Sequence, residues 1–312
     1  MTTQFRAPLT WLGAPSTAPS ADCRAAVLGI PFDCGTHPHR IGARLGPAAI
    51  REQSTNLRRY DPRTNVDVIE RLKLADCGDV EVEPGVIDRS FASIEAAMDA
   101  VVANEAIAVT MGGDGAVTLP QVRALARHAP ELCTVHIDAH TDAYPIDGYN
   151  TATSFRHTAE EGLIDPGRSF HIGVRGPTLV PGVYEFCRKL GYNLITMQEV
   201  RELGFERVAA RVIDAIGHRP VYLCFDMDFF DPSAAPGVCT PTWGGCAAHE
   251  GLGFLEMLNP LDTRVLDVNT VSPPHDMSGM TAFLAATVMW TFLGGVAGKE
   301  RSAGARVRSI AV

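Results

Sequence analysis

The sequence predicts an α/β protein: three layers, α/β/α, around a mostly parallel central sheet. Three observations carry this. Short apolar, β-branched runs recur along the chain, and Thr134-Val135-His136-Ile137 and Val221-Tyr222-Leu223-Cys224-Phe225 are the clearest. They lack the polar alternation of a half-exposed strand, so both faces must be covered. Segments with helical spacing of apolar residues lie between them, and that alternation builds a parallel sheet with helices on both sides.

The elements follow in order. Residues 1–22 are rich in Thr, Pro, Ser and Ala and read as an irregular N-terminal arm, with Trp11 placed to pack on the body or on a neighbouring subunit. Residues 23–312 read as a single domain, because no Gly/Ser-rich linker or charge run divides them. Strands are expected at 25–30, 106–111, 134–137, 170–174, 193–197, 221–225 and 264–268. A helix starts at Gly46-Pro47, with proline in its first turn. Ile94, Ala97, Met98 and Val101 set the spacing of a helix over 91–104. Further helices are expected at 119–128, 184–190, 205–216 and 249–258, and the apolar stretch 280–296 reads as a buried C-terminal helix.

With 312 residues and 46% hydrophobic content, the chain can bury a large core. A net charge of -9 argues against nucleic acid or an anionic membrane as partner and is compatible with a cationic small substrate. No signal peptide is expected, since the first residues lack a basic start and an apolar core. No apolar run is expected to reach the roughly 20 residues that span a bilayer. The eight cysteines form no C-x-x-C pair, which predicts reduced thiols and a cytoplasmic protein.

The chemistry lies in two clusters, Asp138-Ala139-His140-Thr141-Asp142 and Asp226-Met227-Asp228. Each follows a buried strand, so both belong at strand C-terminal ends, where open α/β sheets bind ligands. Four carboxylates converging there repel one another, and two divalent cations would neutralise them. Carboxylate oxygen with imidazole nitrogen suits Mn²⁺, Ni²⁺, Zn²⁺ or Fe²⁺ better than Mg²⁺ or Ca²⁺. Such paired ions, about 3.5–4 Å apart, bind a hydroxide that is nucleophilic at neutral pH. Solvated loop acids or helix caps would explain one aspartate, but not this set after two buried strands.

Here the residues resemble the ureohydrolases: arginase, agmatinase, guanidinobutyrase and proclavaminate amidinohydrolase. The likeness rests on Arg40-Ile-Gly42-Ala-Arg44-Leu-Gly46-Pro47, Gly112-Gly113-Asp114, the two acidic clusters, Asp231-Pro232 with Thr240-Pro241 and Gly244-Gly245, and Ser272-Pro273-Pro274 with Asp276 and Thr281. It implies an arginase-like fold in trimers or hexamers. It also implies hydrolysis of a small guanidino compound to urea or a related product and an amine, by attack of a metal-bound hydroxide. Asp138 and Asp226 would bridge the ions, Mn²⁺ or Ni²⁺, with His140 and Asp228 completing one site and Asp142 serving the other. Asp142 and Glu250 would be catalytic, Glu250 by holding the guanidinium. Asn150 and Thr151 would contact substrate.

Departures from the family pattern gather on the same face. Gly115 stands where the family has a histidine ligand, Thr151 where a histidine assists proton transfer, Cys239 where glycine is favoured, and Thr270 where glutamate is usual. One metal site should therefore be near normal and the other weaker. His37 or His39, in the first active-site loop, are the expected substitutes and substrate contacts, and His136 is expected to be a core residue. Two rival readings remain: a degenerate, non-catalytic subunit paired with an active paralogue, for example on a biguanide or guanylurea, or a guanidine sensor. Arginine ranks below an amine, an acid or an N-substituted guanidine as substrate.

Overall fold

The apolar runs pair side by side. The computed structural model describes residues 8–34, 39–83 and 85–310. Strands β1 (Ala25–Gly29), β4 (Ala75–Asp79), β5 (Ile107–Met111), β6 (Cys133–Ile137), β7 (Phe170–Val174), β8 (Asn193–Thr196), β9 (Pro220–Asp226) and β10 (Asp262–Asn269) form one eight-stranded sheet in the order β4-β1-β5-β10-β9-β6-β7-β8. Every pairing in it is parallel. A small antiparallel hairpin, β2 (Tyr60–Asp61) with β3 (Val66–Asp67), lies outside the sheet.

Ten helices connect these strands among the described residues: α1 (Gly46–Ser54), α2 (Val68–Leu72), α3 (Ile87–Val102), α4 (Thr118–Ala126), α5 (Ser154–Glu160), α6 (Val183–Lys189), α7 (Met197–Leu203), α8 (Phe205–Ile216), α9 (Ala248–Met257) and α10 (Met280–Ile310). They split into two layers. Alternate strand residues such as Val27, Val135, Leu223 and Leu266 meet Ile50, Val212, Phe254 and Met289 on one face. Ala26, Ala108, Tyr222 and Val265 meet Ile94, Met98, Val122 and Phe155 on the other. The period-2 alternation of strands sorts these residues, and the one-sided stripe of a helix such as α8 (Val208, Ala209, Val212, Ile216) seals each face.

The expected strands lie within a residue or two of the observed ones. Three differences have physical causes. The edge strand β4 reads Ala-Asp-Cys-Gly-Asp and has no apolar signature, because its acids bind Arg51. Helix α7 went unread, although Thr196 and Glu199 form a reciprocal capping box at its start. Helix α10 runs past 296, and its segment Met280–Lys299 is long and apolar enough to cross a bilayer, contrary to expectation. Most of that segment is buried within the domain, where Ala282, Ala286, Met289 and Leu293 join the core, and that burial accounts for its composition.

The arm is docked. Trp11 is fully buried, and its backbone N–H donates to Asp76 Oδ2 at 2.7 Å. Asp76 also accepts from Arg51 Nε at 2.8 Å and Nη2 at 2.9 Å, so one buried carboxylate ties arm, helix α1 and strand β4 together. Removing one partner of such a pair leaves an uncompensated buried charge. Asp76→Ala should therefore cost about 3–5 kcal/mol, read as a lowered urea midpoint. An unchanged midpoint would show that the arm does not depend on this tie.

Candidate metal centre

Loops from the C-terminal ends of β5, β6, β9 and β10 enclose a cavity of about 440 Å³. Its walls include Asp33, Arg40, Asp114, Asp138, His140, Asp142, Tyr144, Thr151, Asp226, Asp228, Cys239 and Thr270, with Pro177, Thr178 and Leu179 at the side. The strands place the acids. Asp138 follows the last residue of β6, and Asp226 is the last residue of β9. Phe225, Phe229 and Phe230 pack against one another around Asp226 and Asp228 and fix that turn in the core. The chain passes so close beneath the site that a Cβ on Gly113 would fall 1.5 Å from Phe32 O, so no other residue fits there. Asp142 and Thr270 hold left-handed backbone, with φ 45 and 69. For a β-branched threonine that is strained, and strain of this kind is found where a site demands a fixed side-chain direction.

The acids and imidazoles interlock. His140 donates its backbone N–H to Asp138 Oδ1 at 2.9 Å, and its Nδ1 lies 3.2 Å from Asp138 Oδ1 and 3.6 Å from Asp228 Oδ2. Its Nε2 contacts Thr242 Oγ1 at 3.2 Å. Arg175 braces this arrangement by donating from Nη2 to Asp228 O at 2.7 Å and Thr242 O at 2.8 Å. Asp231 accepts from Gly244 N–H at 2.9 Å and Gly245 N–H at 3.2 Å, and a Cβ on Gly245 would fall 2.4 Å from Asp231 N, so this close approach requires glycine. Asp226 Oδ1 and Asp228 Oδ1 are buried and have no hydrogen-bond partner.

The electrostatics follow from burial. Desolvation, then repulsion from Asp138, raises Asp142, Asp226 and Asp228 well above the usual carboxylate range. Burial also opposes charge on Asp138, but the adjacent His136 and His140 outweigh it and hold that carboxyl well below the range. Burial opposes charge on His140, yet Asp228 and Asp138 prevail and raise it to about 10. Asp114 is pushed up to about 6 by burial, despite accepting from Cys34 N–H at 2.8 Å. Four converging buried carboxyls, two of them with an oxygen left unpaired, fit divalent cations. Three groups of described side chains have ligand atoms within 4.8 Å of one another: His136 with Asp138, Asp142 and Asp226, His136 with Cys224 and Asp226, and Asp138 with His140 and Asp228.

All five expected ligands, Asp138, His140, Asp142, Asp226 and Asp228, meet in this one cavity, and Thr151 lines it with a buried, unpartnered Oγ1. The other expected residues do not join them. Glu250 is exposed and accepts from Ala247 N–H at 2.8 Å, as a first-turn acid of α9 does, and it is not among the described lining residues. Asn150 caps the turn over Thr151–Thr153. His39 is exposed, and His37 lies outside the described residues. Asp33, Asp114 and Tyr144 also line the cavity, Asp114 from the Gly112-Gly113-Asp114 motif. His136 is buried and hydrogen-bonded, as expected of a core histidine, and its Nε2 also lies 3.0 Å from both Asp138 Oδ2 and Asp226 Oδ2.

The sequence model of the arginase family matches residues 23–294. The chain belongs to the arginase family. It is 36% identical over 288 residues to the guanidinopropionase of Pseudomonas aeruginosa, covering 91% of this chain and 90% of that protein. The agmatinase of Proteus mirabilis is 38% identical over 272 residues, covering 86% of each chain. Among solved structures, proclavaminate amidino hydrolase from Streptomyces clavuligerus superposes with a TM-score of 0.88 at 31% identity, covering 95% of this chain and 99% of that one. Formimidoylglutamase from Bacillus subtilis, at 22% identity, shares the fold with a TM-score of 0.85.

Gly115, where the resemblance leads one to expect a histidine ligand, lies against this centre: a Cβ built on it would fall 2.9 Å from Thr151 Cγ2 and 2.9 Å from Asp142 Oδ2, so a side chain there would require both to shift.

Cation binding must displace protons from the raised carboxyls, and affinity then increases as pH rises and those protons leave. Titrating metal-stripped protein with Mn²⁺ slightly below neutral pH should give a heat that varies with the buffer's ionisation enthalpy. A heat independent of buffer would show that these carboxyls are already ionised.

Proposed function

We propose that the chain is a metal-dependent amidinohydrolase of a linear guanidino compound, releasing urea or a related product and an amine. The observation that carries this is the pair of buried, unpartnered oxygens, Asp226 Oδ1 and Asp228 Oδ1, in a cavity that also presents Asp138, Asp142 and His140. Asp138, Asp142, Asp226, Asp228 and His140 would hold two divalent ions, Mn²⁺ or Ni²⁺ by donor type. Bound there, such ions supply a water acidic enough to act as a nucleophile near neutral pH.

The remaining work belongs to side chains of this chain. The cavity's acids, Asp33 and Asp114 included, favour a cationic guanidinium. Asp142 takes the proton released as oxygen bonds to the guanidinium carbon and returns it to the departing nitrogen. Thr151 Oγ1, buried and without a partner, is placed to hydrogen-bond the substrate. Tyr144, Pro177 and Leu179 wall the side where the substrate tail would lie. The relatives named for amine-tailed and acid-tailed guanidines bracket the tail chemistry, and Arg40 and Asp33 on the wall offer one partner of each sign. Trimeric or hexameric assembly, the family's expected state, is part of this reading.

Urea release from a panel of amine-tailed, acid-tailed and N-substituted guanidines tests the proposal. Chelation should abolish release, and Mn²⁺ or Ni²⁺ should restore it. Asp226→Asn should reduce it by roughly a thousandfold or more, since a lost ion takes its nucleophile with it. A metal-loaded homo-oligomer that releases urea only after mixing with an intact paralogue would instead make this chain a partner subunit.

A further inference from the structure

We propose that His136 supplies the first metal site with the imidazole that Gly115 lacks, and that His171 holds it in the ligating tautomer. The inference rests on the two-ion reading above and assigns one ligand within it.

Position comes first. His136 is fully buried in β6, two residues before Asp138 and on the same face. Its register partner on β9 is Cys224, two residues before Asp226. The imidazole therefore sits directly beneath both acids, with Nε2 at 3.0 Å from Asp138 Oδ2 and 3.0 Å from Asp226 Oδ2. One ring nitrogen of His136 and one oxygen each from Asp138, Asp142 and Asp226 lie within 4.8 Å of one another. Ligands at about 2.0–2.2 Å from one ion span such distances. The second oxygen of Asp226, Oδ1, is buried and has no hydrogen-bond partner.

Exclusion comes second. The resemblance places a histidine ligand at position 115; Gly115 offers no side chain, and a Cβ there would lie 2.9 Å from Thr151 Cγ2 and from Asp142 Oδ2, so both would have to shift to admit one. His39 is exposed. Among the described residues, His136 and His140 are the imidazoles in contact with the acids, and His140 groups with Asp138 and Asp228 instead.

The tautomer argument is independent of both. His136 Nδ1 lies 2.9 Å from His171 Nδ1, so one of the two nitrogens must carry a proton and the other must not. With the proton on His136 Nδ1, Nε2 presents a bare lone pair to a cation. His171 then keeps its own proton on Nε2, which is buried without a hydrogen-bond partner. Its ring stands edge-on to Tyr192, with centroids 4.4 Å apart, a surrounding that tolerates an N–H. Both arrangements carry two protons on two neutral rings, so ligation by His136 requires no net proton loss from the pair. Fixing a ligand's tautomer through its second nitrogen is the usual way a neighbouring residue tunes a metal site.

The test starts from wild-type protein, stripped and reloaded with Mn²⁺. Pulsed EPR should show two distinct directly coupled histidine nitrogens, from His136 and His140; a single one overturns the assignment. In equilibrium dialysis His136→Gln should weaken one ion on the order of 100-fold and leave the other within about threefold. His171→Phe should weaken the same ion about 10–100-fold. Adding Gly115→His with Thr151→Ala to His136→Gln should restore it, because that pair supplies a side chain at 115 and makes room for it. Unchanged affinity for both ions in His136→Gln overturns the proposal, whereas wild-type protein that takes up neither Mn²⁺ nor Ni²⁺ sinks the two-ion reading itself.

Discussion

Like charges crowded at the buried end of a sheet set the terms for everything around them. Two carboxylates about 4 Å apart repel by about 4 kcal/mol at the effective dielectric of a protein near its surface. Asp138, Asp142, Asp226 and Asp228 are each buried, so water relieves little of this. Burial and mutual repulsion push Asp142, Asp226 and Asp228 toward the neutral form, while two imidazoles hold Asp138 low. Divalent cations would relieve the same repulsion. The surrounding scaffold holds the acids in place. The phenylalanine cluster locks one turn, Arg175 clamps two loops through backbone carbonyls, and strained backbone at Asp142 and Thr270 aims their side chains.

The sheet beneath the site is polar in a way that a buried parallel sheet ordinarily is not. In register across neighbouring strands lie Thr110 on β5, Asp267 on β10, Cys224 on β9, His136 on β6 and His171 on β7. This row sits one pleat below Asp226 and Asp138. Asp267 is fully buried and accepts from Thr110 Oγ1 at 2.8 Å, Tyr222 OH at 2.8 Å and Asn269 Nδ2 at 3.1 Å. Buried polar groups of this kind are tolerable because nearly every member is paired, and a paired network holds one geometry more strictly than apolar packing does. The acids thus rest on a rigid polar floor, and His136 belongs to the floor and to the site at once.

What could be read from the sequence divides along physical lines. Strands buried on both faces were legible because their residues have no polar alternation, and the acids were legible because charge at the end of such a strand has no cheap explanation. Glu250 was misleading because a helix-capping acid and a guanidinium clamp look alike in one dimension. The edge strand β4 was hidden by the acids that bind Arg51. His136 was the harder case. One of its two carboxylate contacts comes from Asp226, ninety positions away on β9, and its tautomer partner lies thirty-five positions away on β7. A signal was present nonetheless: Thr134-Val135-His136-Ile137 and Ser169-Phe170-His171-Ile172 repeat one pattern, and parallel pairing sets the two histidines side by side.

Gly115 and Thr151 are coupled by packing: the threonine methyl lies 2.9 Å from where a Cβ at 115 would stand, so a side chain at 115 requires Thr151 to give way. From the strand below, an imidazole already lies 3.0 Å from two of the carboxylates between them. Asp138, Asp142, Asp226 and Asp228 are buried and convergent, so each carries a desolvation cost that a bound cation would offset.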